Sequence, residues 1–317
     1  MNCTYELLSI NLYFNAPLLH HQKIPIFPHK PLPLPMTNNP FQTIAIGVAF
    51  SPNLKANLYE SARLSIFFGS KLLLIHVGES SEGKESRIRD ILKPFIEDGL
   101  DFELVFRPGQ PVDVILETVL SNHVDLLILG AVQRENFLTY YVGSIARKIT
   151  RKALCSVLLL INPSIVRVPC KHIVVNGLRD DRTQSAIEAA FYVGHSLKSE
   201  QLTIVEEIAQ HEIAVSVQDD RSLRKATIMK EKLRRREDSR VQLIVANVPS
   251  EYKENIRVKT QPIFGKRGYS IGHYAQVVRA DLLVMNAPGK TGFWDRLFPH
   301  DIEHILTELP TDVLIIQ

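Results

Sequence analysis

Asp125-Leu-Leu-Ile-Leu129 is an apolar run opened by an acid, and Asp281-Leu-Leu-Val-Met285 repeats it 156 positions later. Val157-Leu-Leu-Leu160 returns as Val313-Leu-Ile-Ile316 at the same offset. Short runs of this kind, rich in aliphatic and β-branched residues, read as strands buried on both faces. Stretches that keep one offset are copies of one unit, with no insertion between these strands. Thr43 and His172 stand in the first strands of the two copies, only 129 positions apart. The second copy therefore carries 27 extra residues (156 less 129) before its third strand.

Working outward, the first copy alternates strand and helix. Strands are expected at Thr43–Val48, Lys71–Val77, Phe102–Phe106, Asp125–Leu129 and Ser156–Ile161. Helices are expected at Asn53–Phe68, Arg87–Glu97, Pro111–Ser121 and Ser144–Arg151, where Ile88, Ile91, Leu92 and Phe95 show the i, i+3, i+4, i+7 spacing of one helix face. In the second copy Lys171–Val175 and Leu202–Val205 read as strands around a helix at Arg182–Leu197. Val241–Asn247 has strand propensity, yet Val241, Ile244, Val245 and Val248 repeat the helical spacing of Ile88 to Phe95, so it reads as helix, with Asn255–Ile263 as the third strand. Alternating elements imply parallel strands joined by right-handed crossovers. The fold class is α/β: two tandem open parallel five-stranded sheets with helices on both faces, at residues 41–163 and 170–317.

Residues 1–40 stand apart. Five prolines between Pro25 and Pro35 and an absence of periodicity make this a disordered or non-native extension, with Met36 as the natural start. The stretch lacks the basic n-region of a secretory signal. No apolar run reaches the length of a bilayer span, about 18 residues. Cys3, Cys155 and Cys170 show neither metal-ligand spacing nor a disulfide framework. A cytoplasmic protein with no membrane partner is expected. The net charge of +3 gives no argument for nucleic acid, and Glu231, Glu237 and Asp238 interrupt the basic run Arg234-Arg235-Arg236, as on a solvated helix face. Histidines at 20, 21 and 29, and the His300/His304 pair beside Asp301 and Glu303, lack a zinc-site pattern, so no metal is expected. Ser, Cys and His fall in no catalytic context, so no catalytic residue is assigned.

Ligands of open parallel sheets bind beyond the carboxyl ends of the strands, at the switch point. The segment to watch follows the fourth strand, from Gly130 to Ser144. Gly130 allows a sharp turn, Gly143 and Ser144 open a helix whose free N–H groups favour phosphate, and Arg147 could offset charge. Equally, Gly130 could be a plain turn residue and Ser144 an N-cap.

Gly130, two residues, Gln133, nine residues, then Gly143-Ser144 resembles the phosphate-binding motif of the universal stress proteins, which has glycine in place of Gln133. Leu74–Val77 is similar to that family's second strand, and Ala153–Leu159 to its last. The resemblance implies the adenine-nucleotide-binding α/β fold, with ATP as the cofactor held through Gly47, Val77, Gly130, Gln133, Gly143, Ser144 and Ile145. It also implies a stress-response regulator rather than an enzyme, whose two domains form an intramolecular pseudo-dimer through Val157–Leu160 and Val313–Ile316, with a higher homo-oligomer as a further option. Three departures stand out. Ala49 occupies the place of a nucleotide-contacting Asp. Gln133 adds a side chain. The second copy has Asn286 and Gly289 at the first two motif positions and Pro299-His300 in place of Gly-Ser, which predicts that it does not bind ATP. The alternative is an interaction or scaffold protein that has lost nucleotide binding.

Overall fold

The computed structural model describes residues 39–133, 140–209, 212, 218–265, 268–287 and 301–317. The proposed start at Met36 lies outside them. The first half contains β1 (Thr43–Gly47), α1 (Leu54–Phe68), β2 (Lys71–Val77), α2 (Glu82–Glu97), β3 (Phe102–Arg107), α3 (Pro111–Ser121), β4 (Leu126–Gly130), β5 (Val132–Gln133), β6 (Tyr140–Tyr141), α4 (Ser144–Lys152) and β7 (Ser156–Leu160). The second half contains β8 (His172–Asn176), α5 (Thr183–Leu197), β9 (Gln201–Ala209), α6 (Asp220–Asn247), α7 (Ser250–Lys253), β10 (Arg257–Gly265), α8 (Tyr269–Val277), β11 (Leu282–Asn286), α9 (Asp301–Thr307) and β12 (Asp312–Ile316).

Local chemistry sets several boundaries. α1 stops because Gly69 turns left-handed at φ 63°, a conformation that costs glycine nothing. α2 starts at Glu82, five residues before the expected Arg87, because Ser81 caps it and Glu82 and Glu85 favour its positive end. Val241–Asn247 is helical, as its periodicity requires, and ends the 28-residue α6. The extra residues of the second copy fall between the starts of β9 and β10, where α6 is longer than its counterpart α2. α6 begins with an Asp219–Ser222 capping box, in which the Asp219 carboxylate accepts the Ser222 N–H at 2.7 Å. Its basic run is ion-paired: Arg235 with Glu231, Arg236 with Glu212 and Glu237, and Arg240 with Glu237.

The expectation of two five-stranded sheets is corrected in one respect: the strands expected to join the halves, Val157–Leu160 and Val313–Ile316, merge them into one sheet. One ten-stranded sheet runs β10-β9-β8-β11-β12-β7-β4-β1-β2-β3. Each half is parallel, and the halves join where β12 pairs antiparallel with β7, with Leu159 opposite Val313 and Leu158 opposite Leu314. Both are apolar terminal strands, and pairing satisfies a row of backbone groups that an edge would leave to water. The two-stranded ribbon β5–β6 stands apart from this sheet.

The core crosses the junction. Leu127, Leu129, Val157 and Leu159 of the first half belong to one buried cluster with Leu283, Met285, Val313 and Ile315 of the second. Ile149 of α4 and Ile305 and Leu306 of α9 belong to it too. On the other face α1 and α5 meet, where Phe68 and Tyr192 lie 5.6 Å apart. Asn39, placed in the extension on sequence, packs there: its side-chain amide donates to the Phe68 carbonyl at 2.7 Å and accepts from the Tyr192 hydroxyl at 2.8 Å.

Candidate functional site

In the first half the strand order changes direction between β1 and β4, which makes a crevice at their carboxyl ends. Gly47 is the last residue of β1, paired with Ile75, and Val77 ends the neighbouring β2. Gly130 ends β4 in register with Leu160. It makes no left-handed turn, and a Cβ there would meet only the Asn57 side-chain oxygen, at 3.9 Å. The sharp turn expected at Gly130 is therefore absent, because Gly130 keeps its place in the ladder as the last residue of β4. What the missing side chain does provide is space in front of Asn57.

Asn57 was not singled out by sequence, since nothing in a helical pattern distinguishes one polar residue from the next. It lies on α1, and its Oδ1 is buried without a hydrogen-bond partner. A desolvated acceptor left unpaired costs about 1–3 kcal/mol, so its position beside the crevice is notable.

Beyond Gly130 the chain forms a ribbon. Gln133 pairs with Tyr140 and Val132 with Tyr141; residues 134–139 lie outside the described set. Tyr140, Tyr141 and Val142 have strand-forming side chains, the one signal that could have found this return. The ribbon brings the chain to Gly143, which is itself the N-cap of α4 at φ −59°, ψ 160°, with no side chain bonding the helix end. The N-cap reading of Ser144 is corrected: it is the first helical residue and exposed, as is Ile145. The first turn of α4 contains no acidic residue. The start of the helix carries the positive end of its dipole. Arg147, expected to offset charge here, donates from Nη2 to the Leu306 carbonyl of α9 at 3.0 Å. Val142 N–H donates to the same carbonyl at 3.1 Å, and Leu309 N–H to the Tyr140 carbonyl at 2.9 Å. The second half therefore braces the loop of the first.

Ala49 follows β1 and is exposed, offering no carboxylate. Close by, His76 Nδ1 donates to the Val48 carbonyl at 2.9 Å while Nε2 accepts from Lys84 Nζ at 3.3 Å. The Phe50 ring packs edge-on against His76 at 5.0 Å.

The second half is built differently at each matching place. Asn286 occupies the position of Gly130, and its amide donates to the Thr183 hydroxyl at 3.2 Å while its Oδ1 is buried and unpartnered. Glu206 and Glu207 of β9 stand where β2 has His76 and Val77. Glu207 caps α8, accepting the N–H groups of Gly268 at 3.0 Å and Ile271 at 2.8 Å. Glu206 is 1% exposed, with both oxygens unpartnered. Burial pushes its carboxyl up to about 7; Asp238 and Glu237 raise it further and Arg240 opposes them. Gly289, Pro299 and His300 lie outside the described residues. Among the described residues no group of three or more His, Cys, Asp or Glu could hold a metal ion, and no helix is long and apolar enough to cross a membrane.

Residues 79–160 match the model of the universal stress protein family. The chain carries a universal stress protein domain. The match begins just after β2 and takes in β3, β4, the ribbon, Gly143 and β7. It is narrower than the resemblance drawn from sequence, and β1 with Ala49 falls outside it. Solved structures resemble nearly the whole chain. A protein of unknown function from Pseudomonas aeruginosa has 16% identity, covering 88% of this chain and 93% of its own, with a TM-score of 0.63. A universal stress protein from Archaeoglobus fulgidus has 15% identity, covering 87% and 98%, with a TM-score of 0.60. The cytoplasmic domain of a prokaryotic cation chloride cotransporter has 14% identity, covering 87% and 95%, with a TM-score of 0.50. At such identities the universal stress protein fold is shared and function is not thereby given. No curated protein matches the chain.

Proposed function

We propose that this chain is a cytosolic stress-response regulator of tandem type, with domains at 41–163 and 170–317, that binds one adenine nucleotide in its first half. The observation that carries the reading is the unpartnered Asn57 Oδ1 in the space left by Gly130, near the uncapped start of α4 at Gly143. An amino or hydroxyl group of a nucleoside supplies the donor that Asn57 lacks. The phosphates meet the N–H groups of Ser144 and Ile145, where helix geometry and dipole favour an anion. Gly47 and Val77 line the crevice through the ends of β1 and β2, and Gln133 sits at the base of the ribbon. With Ala49 in place of an acid, recognition rests on phosphate more than on the sugar. In the second half the Asn286 side chain occupies the place that Gly130 leaves open, which supports binding by one half alone.

Gly143→Asp tests this. Asp is a favoured N-cap and the backbone angles at Gly143 suit it, so the unliganded fold is expected to keep its stability. The carboxylate then stands where the phosphate would bind. With ATP and magnesium at 100 times Kd, the native protein gains about 2.7 kcal/mol. Thermal unfolding should show that gain as a rise in Tm that Gly143→Asp abolishes. A Tm that ignores ATP in both proteins favours the scaffold reading, which the exposed Ala49 supports, and phosphate release above a protein-free control would revive an enzyme.

A further inference from the structure

On the α1 and α5 side of the seam, β7 and β12 form the floor of a cavity of about 270 Å³. Protein interiors leave few voids larger than a water molecule, and an apolar cavity of about 150 Å³ already takes up benzene. The floor is apolar, made by Leu158, Leu160 and Leu314. The opposite face of the same strands is packed by α4 and α9. On this face the connecting segment 161–170 forms part of the wall, with no regular structure. It is held by Arg63, which donates to the carbonyls of Ile165, at 2.8 Å, and Ser164, and which pairs with Glu60 at 2.9 Å.

One end of the cavity carries a carboxyl group. Asp312 is half-buried, and one of its oxygens accepts the Ile161 N–H at 2.8 Å. At the 156 offset its counterpart is Ser156, whose hydroxyl accepts the Gln317 N–H at 3.4 Å. The two bonds are related across the seam and serve the same purpose, the capping of the partner strand's end. A hydroxyl suffices for that. A carboxyl in the same place has more acceptor capacity than the bond to Ile161 uses. Burial pushes it up to about 7; the Ile161 N–H opposes the rise, and Glu60 and Asp281 add to it.

We infer that this cavity is a ligand site for a small apolar molecule bearing one hydrogen-bond-donating head, its body on Leu158, Leu160 and Leu314 and its head on Asp312. The inference is independent of nucleotide binding, since none of Gly47, Asn57, Gly130 or Gly143 lines the cavity.

The test titrates the full-length chain with benzylamine, which carries the donor head, and with toluene, which lacks it. Saturable binding of both is expected, with benzylamine the tighter. Asp312→Asn should weaken benzylamine at least fivefold and leave toluene unchanged, while Leu158→Phe, which fills the floor, should weaken both. Should Asp312→Asn fail to fold, the wild-type pH profile decides. Between about pH 5 and pH 8 Asp312 ionises while benzylamine stays cationic, so benzylamine should bind more tightly and toluene should not change. Arg63, Arg167, Glu60 and Asp281 also face the cavity, as does Cys170, whose thiol burial pushes up to about 12. Absence of saturable binding overturns the site. Equal loss of both probes in Asp312→Asn, or benzylamine affinity indifferent to pH, overturns the role of the carboxyl.

Discussion

Leu159→Asp is expected to abolish the fold of both halves together. Leu159 is fully buried, sits opposite Val313 at the seam and belongs to the cluster shared by the two halves. A carboxylate placed in that apolar cluster loses its hydration. Burial of an unpaired charge costs several kcal/mol, against a total stability for a domain of about 5–15 kcal/mol. Far-UV circular dichroism should show a chain without a cooperative transition. The milder Leu159→Ala should lose about 2–5 kcal/mol and still unfold in one step, since one core layer spans the seam. Two separate transitions in Leu159→Ala, with one half unperturbed, would show that the halves fold independently.

The second large effect has the opposite sign. Glu206→Met is expected to stabilise the protein above neutrality by roughly 2–3 kcal/mol, as when buried charge gives way to packed apolar groups. The wild-type carboxyl titrates at about 7 in the folded protein, against an ordinary value of 4.5. In between, the unfolded chain has released the proton that the folded protein retains. The Glu206 contribution to stability therefore falls as pH rises through that window, and levels off above about 7. Glu206→Met should remove this slope, so the two proteins differ least near pH 4 and most near pH 8. Urea midpoints across that range measure it. A Met variant less stable than wild type at pH 8 would mean that the Glu206 carboxylate has a partner in solution.

Most of the fold was legible because a repeat was read twice. Pro111–Ser121 and Lys71–Val77 were placed residue for residue, since proline at a helix start and a run bounded by Gly69 and Gly78 leave little room. The helical reading of Val241–Asn247 went against its propensity and held, because periodicity reports which face is buried whereas propensity reports only local preference. The single sheet was harder to see. The resemblance implies that Val157–Leu160 and Val313–Ile316 join the halves; that their pairing merges two five-stranded sheets into one is seen only in the geometry.

The site was legible as a spacing and less so as chemistry. The interval from Gly130 to Gly143 marks the loop of the proposed site, while the structure changes the reasons for its residues. Gly130 makes room instead of a turn, Ser144 follows the cap instead of forming it, and Arg147 bonds to α9. Asn57 left no trace in the sequence, because its importance comes from the space that a distant glycine leaves open. The same holds for Asp312 and Ser156, which are ordinary polar residues until the seam sets them side by side with the opposite strand ends.

The asymmetry between the halves is the centre of this account, and binding stoichiometry tests it most directly. Isothermal titration of the full-length chain with ATP and magnesium should give one site per chain, lost in Gly143→Asp and retained in Asn286→Gly. Two sites per chain would contradict the account by showing that the second half binds as well, and no heat of binding at all would contradict it by removing the first.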